Sequence, residues 1–202
     1  MVSVVDDDAA VRASLVRLLS AAGYNVQAFA SAAEFLARDR PVGPSCLVLD
    51  VRMPGATGLD LQQTLAGAVH QIPIVFITGH GDISMSVKAM KAGAVDFLAK
   101  PFERKDLLDA IERAIAKDTR MLGAEARVDE IQKRVALLTP REGQVFALVV
   151  TGMPNKQIAS RLGVGEKTVK VHRGRVMDKM QAGSLAELVR LADAVGIIVA
   201  KV

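Results

Sequence analysis

Asp6, Asp7, Asp50, Thr78 and Lys100 are the residues of this 202-residue chain whose types could do chemistry together. Each follows or closes a short apolar run: 2–5 before Asp6, 46–49 before Asp50, 72–77 before Thr78 and 95–98 before Lys100. Neighbouring carboxylates repel one another unless a cation sits among them, and oxygen ligands suit Mg²⁺. A carboxylate, a bound Mg²⁺, an ammonium and a hydroxyl can together handle a phosphoryl group. The carboxylate is the nucleophile, and the cations offset charge on the equatorial oxygens. Taken singly, each residue also has a plain structural reading. Asp8 reads as a helix cap, Thr78-Gly79 as a turn and Lys100-Pro101 as a solvated loop.

These residues meet only if their elements bring them to one edge. The apolar runs 2–5, 24–28, 46–49, 72–77 and 95–98 alternate with amphipathic stretches at 9–21, 31–38, 58–68, 84–92 and 103–117. Runs apolar throughout read as strands buried on both faces, and the alternation reads as βα units. The expectation is a (βα)5 doubly wound parallel sheet over 1–117, in which a site lies at the carboxyl ends of the strands.

The pattern changes after Thr139-Pro140-Arg141-Glu142, a capping box with proline at the first helical position. Helical periodicity covers 140–151, 155–162, 166–181 and 184–195, predicting a small all-α domain over 138–202. Residues 118–137 have one glycine and no proline. They read as a helical connector continuing the fifth helix, with Gly123 the place where a break would fall.

Charge follows the same division. Residues 1–117 carry 12 Lys/Arg against 13 Asp/Glu, and residues 118–202 carry 14 against 9. Within 156–179 there are seven basic and two acidic residues. Such an excess fits a polyanion, although a solvated basic surface gives the same count. Residues 155–180 read as helix, three-residue turn, helix. In the second helix Val169, Val176 and Met180 share the core face. The opposite face holds Lys167, Lys170, Val171, Gly174, Arg175 and Asp178, with Arg173 on one flank and Thr168 at the N-terminal end. Cations on an exposed helix suit phosphates and major-groove base edges. Gly174 costs about 1 kcal/mol of helix propensity, which a close approach of DNA would justify. His172 reads as a half-buried structural histidine, and His70 and His80 as loop residues.

Two resemblances follow. Val4-Val5-Asp6-Asp7-Asp8, Leu49-Asp50-Val51-Arg52-Met53-Pro54, Ile77-Thr78-Gly79-His80-Gly81 and Lys100-Pro101-Phe102 resemble the receiver domain of two-component response regulators. The resemblance implies that Asp50 is the phosphoacceptor. It implies that Asp7, Asp50 and the main-chain carbonyl of Arg52 bind Mg²⁺, with Asp6 assisting. Thr78 would bond a phosphoryl oxygen, Lys100 would pair with it, Phe97 would be the switch aromatic, and Pro101 would follow a cis peptide.

Leu138-Thr139-Pro140-Arg141-Glu142, Pro154-Asn155-Lys156-Gln157-Ile158-Ala159 and Lys167-Thr168-Val169-Lys170-Val171-His172-Arg173 are similar to the four-helix LuxR-type DNA-binding domain. Together with Gly79-His80-Gly81-Asp82, the whole chain resembles FixJ-type regulators of the NarL/FixJ group. By that resemblance Lys156, Thr168 and Lys179 contact phosphates. Lys170, Val171 and nearby residues, Arg173, Gly174 and Arg175 among them, meet bases. The implied partners are a sensor histidine kinase, double-stranded promoter DNA and RNA polymerase. The implied assembly is a monomer at rest and a homodimer, formed through the fourth-helix and fifth-strand face, when phosphorylated. The protein would more often activate than repress.

Composition excludes other classes. One cysteine, Cys46, leaves no internal disulfide framework, fits a reducing cytosol and reads as an inert start to a buried strand. No apolar run is long enough for a membrane helix. The N-terminus has no basic region before an apolar stretch, so no signal peptide is expected and the location expected is cytoplasmic. An aspartyl-nucleophile phosphatase would place a second aspartate two residues after the first, where Arg52 stands, so an enzyme is not expected. The basic cluster argues against an interaction switch that no longer binds DNA. The complete acidic set argues against a vestigial receiver.

Overall fold

The structure, a computed structural model, describes residues 1–39, 41–67, 71–79 and 83–197. The expectations for His70 and His80, and the motif positions His80, Gly81 and Asp82, lie outside them. The chain divides into two compact units, Met1–Leu122 and Gly123–Val202.

In the first unit, β1 (Val2–Val5), β2 (Val26–Phe29), β3 (Cys46–Asp50), β4 (Ile74–Thr78) and β5 (Asp96–Ala99) alternate with α1 (Ala9–Ala21), α2 (Ala32–Leu36), α3 (Gly58–Ala66), α4 (Ile83–Lys91) and the first part of α5 (Arg104–Ala136), which continues past Leu122. The strands are parallel in the order β2-β1-β3-β4-β5. Side chains alternate across each strand, and two cores follow from that. Val2, Val4, Cys46, Val48, Val75 and Ile77 face one layer, filled by Leu15 and Leu19 of α1 and Leu107, Ala110 and Ile111 of α5. Val5, Leu47, Leu49, Ile74 and Phe76 face the other, filled by Phe35, Leu61 and Ala89 of α2, α3 and α4. Covering both faces explains why these strands read as unbroken apolar runs. Burial pushes the Cys46 thiol up to about 12, so it is inert at neutral pH.

Strand order reverses between β1 and β3. That switch point opens a crevice at the carboxyl ends of the strands. The register puts Val5 beside Leu49, Asp50 beside Ile77 and Thr78 beside Ala99. The residues that follow β1 and end β3 and β4 therefore share one edge with Lys100. Asp8 caps α1, accepting from the N–H groups of Ala10 at 2.7 Å and Val11 at 3.2 Å. Gly58 opens α3 where no side chain fits. A Cβ there would clash with the Asp50 carbonyl oxygen and press on the Phe76 ring.

α5 is one helix of 33 residues. It runs through Gly123 without the break that the sequence admitted, and nothing stands near enough to Gly123 for a side chain to meet.

The second unit holds α6 (Pro140–Val149), α7 (Asn155–Leu162), α8 (Glu166–Met180) and α9 (Leu185–Ala194). Val145, Phe146, Val149, Ile158, Val169, Val176, Met180, Leu188 and Leu191 form its core, joined by Ile131 from the end of α5. Thr139 and Glu142 make the reciprocal capping box at the start of α6. α7 ends on Gly163 at φ +65°, a left-handed residue that suits glycine. α7, the 163–165 turn and α8 make a helix-turn-helix, with Val169, Val176 and Met180 on the core face.

Candidate phosphoacceptor site and nucleic-acid interface

Asp6, Asp50, Thr78 and Lys100 converge at the carboxyl edge of the sheet. Lys100 Nζ donates to Asp6 Oδ2 at 2.7 Å and to Asp50 Oδ1 at 2.8 Å. These residues lie 94 and 50 positions from Lys100 in the chain. Asp6, Asp50 and Thr78 are buried, at 1%, 6% and 1% exposure. Burial raises the Asp50 pKa above the ordinary carboxylate value, and the hydrogen bond from Lys100 is the chief counterweight. Burial also opposes the Lys100 ammonium, but its hydrogen bonds to Asp50 and Asp6 outweigh that and raise its pKa. One lysine is shared between two carboxylates, so the site keeps a net negative charge.

Main-chain groups complete it. Arg52 donates its N–H to Asp50 Oδ2 at 2.7 Å, and Asp8 donates its N–H to Asp6 Oδ1 at 2.9 Å. Arg12 of α1 reaches back to the acidic loop. Its Nη1 donates to the carbonyl of Asp6 at 2.7 Å and of Asp7 at 2.9 Å. Sequence reasoning did not find Arg12. The only signal was an arginine one helical turn after the cap, where a side chain can fold back over the loop. Asp7 is exposed. Phe97, half-buried on β5, packs against Phe76 of β4 with ring centroids 6.1 Å apart. The Lys100–Pro101 peptide is cis.

The donor set suits a hard divalent cation. Asp6, Asp7 and Asp50 supply carboxylate oxygens, which Mg²⁺ prefers. Among the described residues no three metal-binding side chains already stand in a ligating group. Lys100 holds the place between Asp6 and Asp50 on a long four-carbon stem.

A different surface lies on α4. Ile83, Val87 and Met90 are 85%, 44% and 45% exposed. Their spacing puts them on one stripe of the helix.

On α8 the structure exposes Lys167, Thr168, Lys170, Val171, Gly174 and Arg175, and on α7 it exposes Lys156. Arg173 is half-buried and donates through Nη1 to Asn155 Oδ1 at 3.2 Å, tying α8 to α7. Nothing lies near Gly174, so no packing contact within the unit requires a glycine there. His172 is half-buried, and its Nδ1 has no hydrogen-bond partner. Lys179, which the resemblance makes a phosphate contact, is half-buried and engaged within the unit. Its ammonium donates to Glu142 Oε2 at 2.6 Å and to the carbonyl of Leu137 at 3.0 Å. Spacing alone could not show this, because Glu142 lies 37 residues away.

Comparison with known proteins agrees with both halves. Residues 2–112 match the response regulator receiver domain, and residues 136–192 match the luxR family of bacterial regulatory proteins. The chain is 51% identical over 197 residues to nodulation protein W of Bradyrhizobium diazoefficiens, covering 98% of this chain and 87% of that protein. It is 47% identical over 198 residues to the transcriptional regulatory protein FixJ of Rhizobium meliloti, covering 96% of each. Among solved structures, response regulator StyR superposes with a TM-score of 0.82 at 50% identity, over 95% of this chain and 97% of that one. Full-length FixJ from B. japonicum superposes with a TM-score of 0.58 at 45% identity, over 98% and 97%. Among the described residues no helix is long and apolar enough to cross a membrane. The chain belongs to the two-component response regulators that join a receiver to a LuxR-type DNA-binding domain, a family of DNA-binding transcriptional regulators served by histidine kinases rather than of enzymes.

Proposed function

We propose that Asp50 is the phosphoacceptor and that its phosphorylation controls binding of α8 to promoter DNA. The observation that carries this reading is the convergence of Asp6, Asp50 and Lys100 within hydrogen-bond reach from three distant parts of the chain. Thr78, buried at the same edge, completes the set. A carboxylate oxygen of Asp50 forms the new P–O bond as the P–N bond to the kinase histidine breaks. The departing imidazole nitrogen keeps the electron pair. Asp6, Asp7, Asp50 and the Arg52 carbonyl would hold Mg²⁺, which supplies Lewis-acid stabilisation to the transferred group. Lys100 follows the charge outward, from pairing two carboxylates to pairing a phosphoryl oxygen. Thr78 donates its hydroxyl to another oxygen.

Phosphorylation replaces one negative charge with about two and adds three acceptor oxygens. Drawing Thr78 and Lys100 toward them shifts the ends of β4 and β5. Phe97 is on β5 itself, half-buried with its ring against Phe76 of β4, and would turn as those strand ends shift. The exposed Ile83–Val87–Met90 stripe of α4, next to β5, is the face through which two phosphorylated receivers pair, whereas the resting form is a monomer. An exposed apolar stripe of this kind favours association. Pairing brings two α8 helices to two half-sites, and the second half-site is bound at high effective concentration. Lys156 and Thr168 would hold the backbone, and Lys170, Val171, Arg173, Gly174 and Arg175 would meet base edges. The protein acts in the cytoplasm and, as an activator, recruits RNA polymerase. The test is transfer from a small phosphoryl donor with Mg²⁺, followed by a phosphate-affinity gel and gel-filtration mass. Wild type should gain one phosphoryl group and dimerise. Asp50→Asn should do neither, and a labelled Asp50→Asn would overturn the assignment.

A further inference from the structure

We propose that Lys179 is a positioning residue rather than a phosphate contact, and that it works in a clamp with Glu142 and Arg134. This rests on the DNA-binding reading of α8. The clamp joins three pieces of the helical unit. Lys179, in the last turn of α8, donates to Glu142 in the first turn of α6 at 2.6 Å and to the carbonyl of Leu137, just past α5, at 3.0 Å. Arg134, in the last turn of α5, donates in return to the carbonyl of Met180, the last residue of α8, at 3.3 Å. Each helix end thus supplies a cation to a carbonyl at the end of the other. Carbonyls at helix ends lack intrahelical donors, so each cation satisfies an otherwise orphaned acceptor.

Glu142 is the hub. Its Oε2 accepts both from Lys179 and, at 2.9 Å, from the N–H of Thr139 in the capping box. Its side chain is buried at 2% exposure, and Lys179 keeps a third of its own exposed. A buried carboxylate left without its cation is strongly disfavoured, so Lys179 is not free to leave for DNA. The hydrogen bonds from Lys179 and from the Thr139 N–H hold the Glu142 pKa down to about 2. Met180, the residue after Lys179, is wholly buried and Ile131 nearly so, in one core. The clamp therefore fixes where the C-terminal end of α8 sits relative to α5 and α6, and with it the tilt of the exposed face that carries Lys170 and Val171.

The two roles of Lys179 predict opposite signs. Duplex binding by the full-length phosphorylated chain is measured against salt, with a duplex selected from a random pool. For a clamp, Glu142→Gln and Lys179→Met each weaken binding about tenfold, and the double variant is no weaker than either, because coupled neighbours are not additive. The slope of log K against log salt stays that of wild type. Were Lys179 a phosphate contact, Glu142→Gln would release it, tighten binding and steepen the slope, while Lys179→Met would flatten the slope by about 0.9. Either of those results overturns the proposal. Hydrogen exchange without DNA separates this test from the DNA-binding reading itself. The amides of 137–143 should lose protection in Lys179→Met, and unchanged protection would also overturn the clamp.

Discussion

The acidic edge of the receiver and the basic face of α8 are built in opposite ways. At the acidic edge, Asp6 just after β1 and Asp50 at the end of β3 are buried and already paired with the half-buried Lys100 that follows β5. On α8 the cations are neighbours in sequence and mostly exposed. The first arrangement is costly to assemble and specific to one small ligand, because Asp6, Asp50 and Lys100 have fixed partners that the ligand must replace. The second takes its meaning from a large polyanion that adds contacts one phosphate at a time. Chemistry needs the first kind of site. Recognition tuned by many small terms suits the second.

Deletion experiments should separate the two kinds. The largest expected effect is at the acidic edge: Asp50→Asn abolishes acylphosphate formation outright, read as the loss of a phosphoryl mass increment with a small-molecule donor. A shift of phosphorylation to another residue would break the contrast. Next is Gly58→Ala, where the new methyl group strikes the carbonyl of Asp50. Overpacking of this kind costs about 1–3 kcal/mol. Denaturant unfolding should show the loss in the receiver, with the helical unit unaffected. Unchanged receiver stability would mean that the backbone around Asp50 yields more easily than its packing suggests.

On α8 the effects are graded. Lys170→Met should weaken binding to the selected duplex by about 1–3 kcal/mol and relax the base preference at the position it reads. Unchanged affinity and base preference would take Lys170 out of the interface. Gly174→Ala should stabilise the helix by about 0.5–1 kcal/mol, since nothing in the unit crowds that position. If DNA approaches the backbone there, the same variant should bind DNA less well while melting higher.

The smallest effect is a pH dependence. The Glu142 carboxyl is held down from 4.5 to about 2. A group whose folded pKa lies below its unfolded value adds stability above the unfolded value, and that stability is lost as pH falls toward the folded one. The melting temperature of the helical unit should therefore drop between pH 4.5 and 2, and Glu142→Gln should flatten that drop. Parallel curves for the two would show that Glu142 is not the group responsible.

The receiver was the more legible half. Its strands are buried on both faces, so they appear as unbroken apolar runs, and each motif residue sits where a run ends. The order β2-β1-β3-β4-β5 then brings Asp6, Asp50, Thr78 and Lys100 together without further information. Arg12 was not legible, because its contacts are to main-chain carbonyls, which no residue type announces. In the helical unit the capping box, the Gly163 turn and the core face of α8 were readable from spacing. The environment of Lys179 was not. Periodicity places a residue on a face of its own helix but says nothing of an acidic partner from another helix. The same limit applies to Gly123, where a glycine that could have ended α5 is carried through by the helix on either side.

The central claim is that Asp50 controls the DNA-binding face of α8. It is tested most directly by binding of the full-length chain to selected duplex DNA, with and without a phosphoryl donor and Mg²⁺, for wild type and Asp50→Asn. The account predicts that the donor tightens binding by wild type alone. Equal binding in all four conditions would leave α8 as a DNA-binding element and contradict control by Asp50.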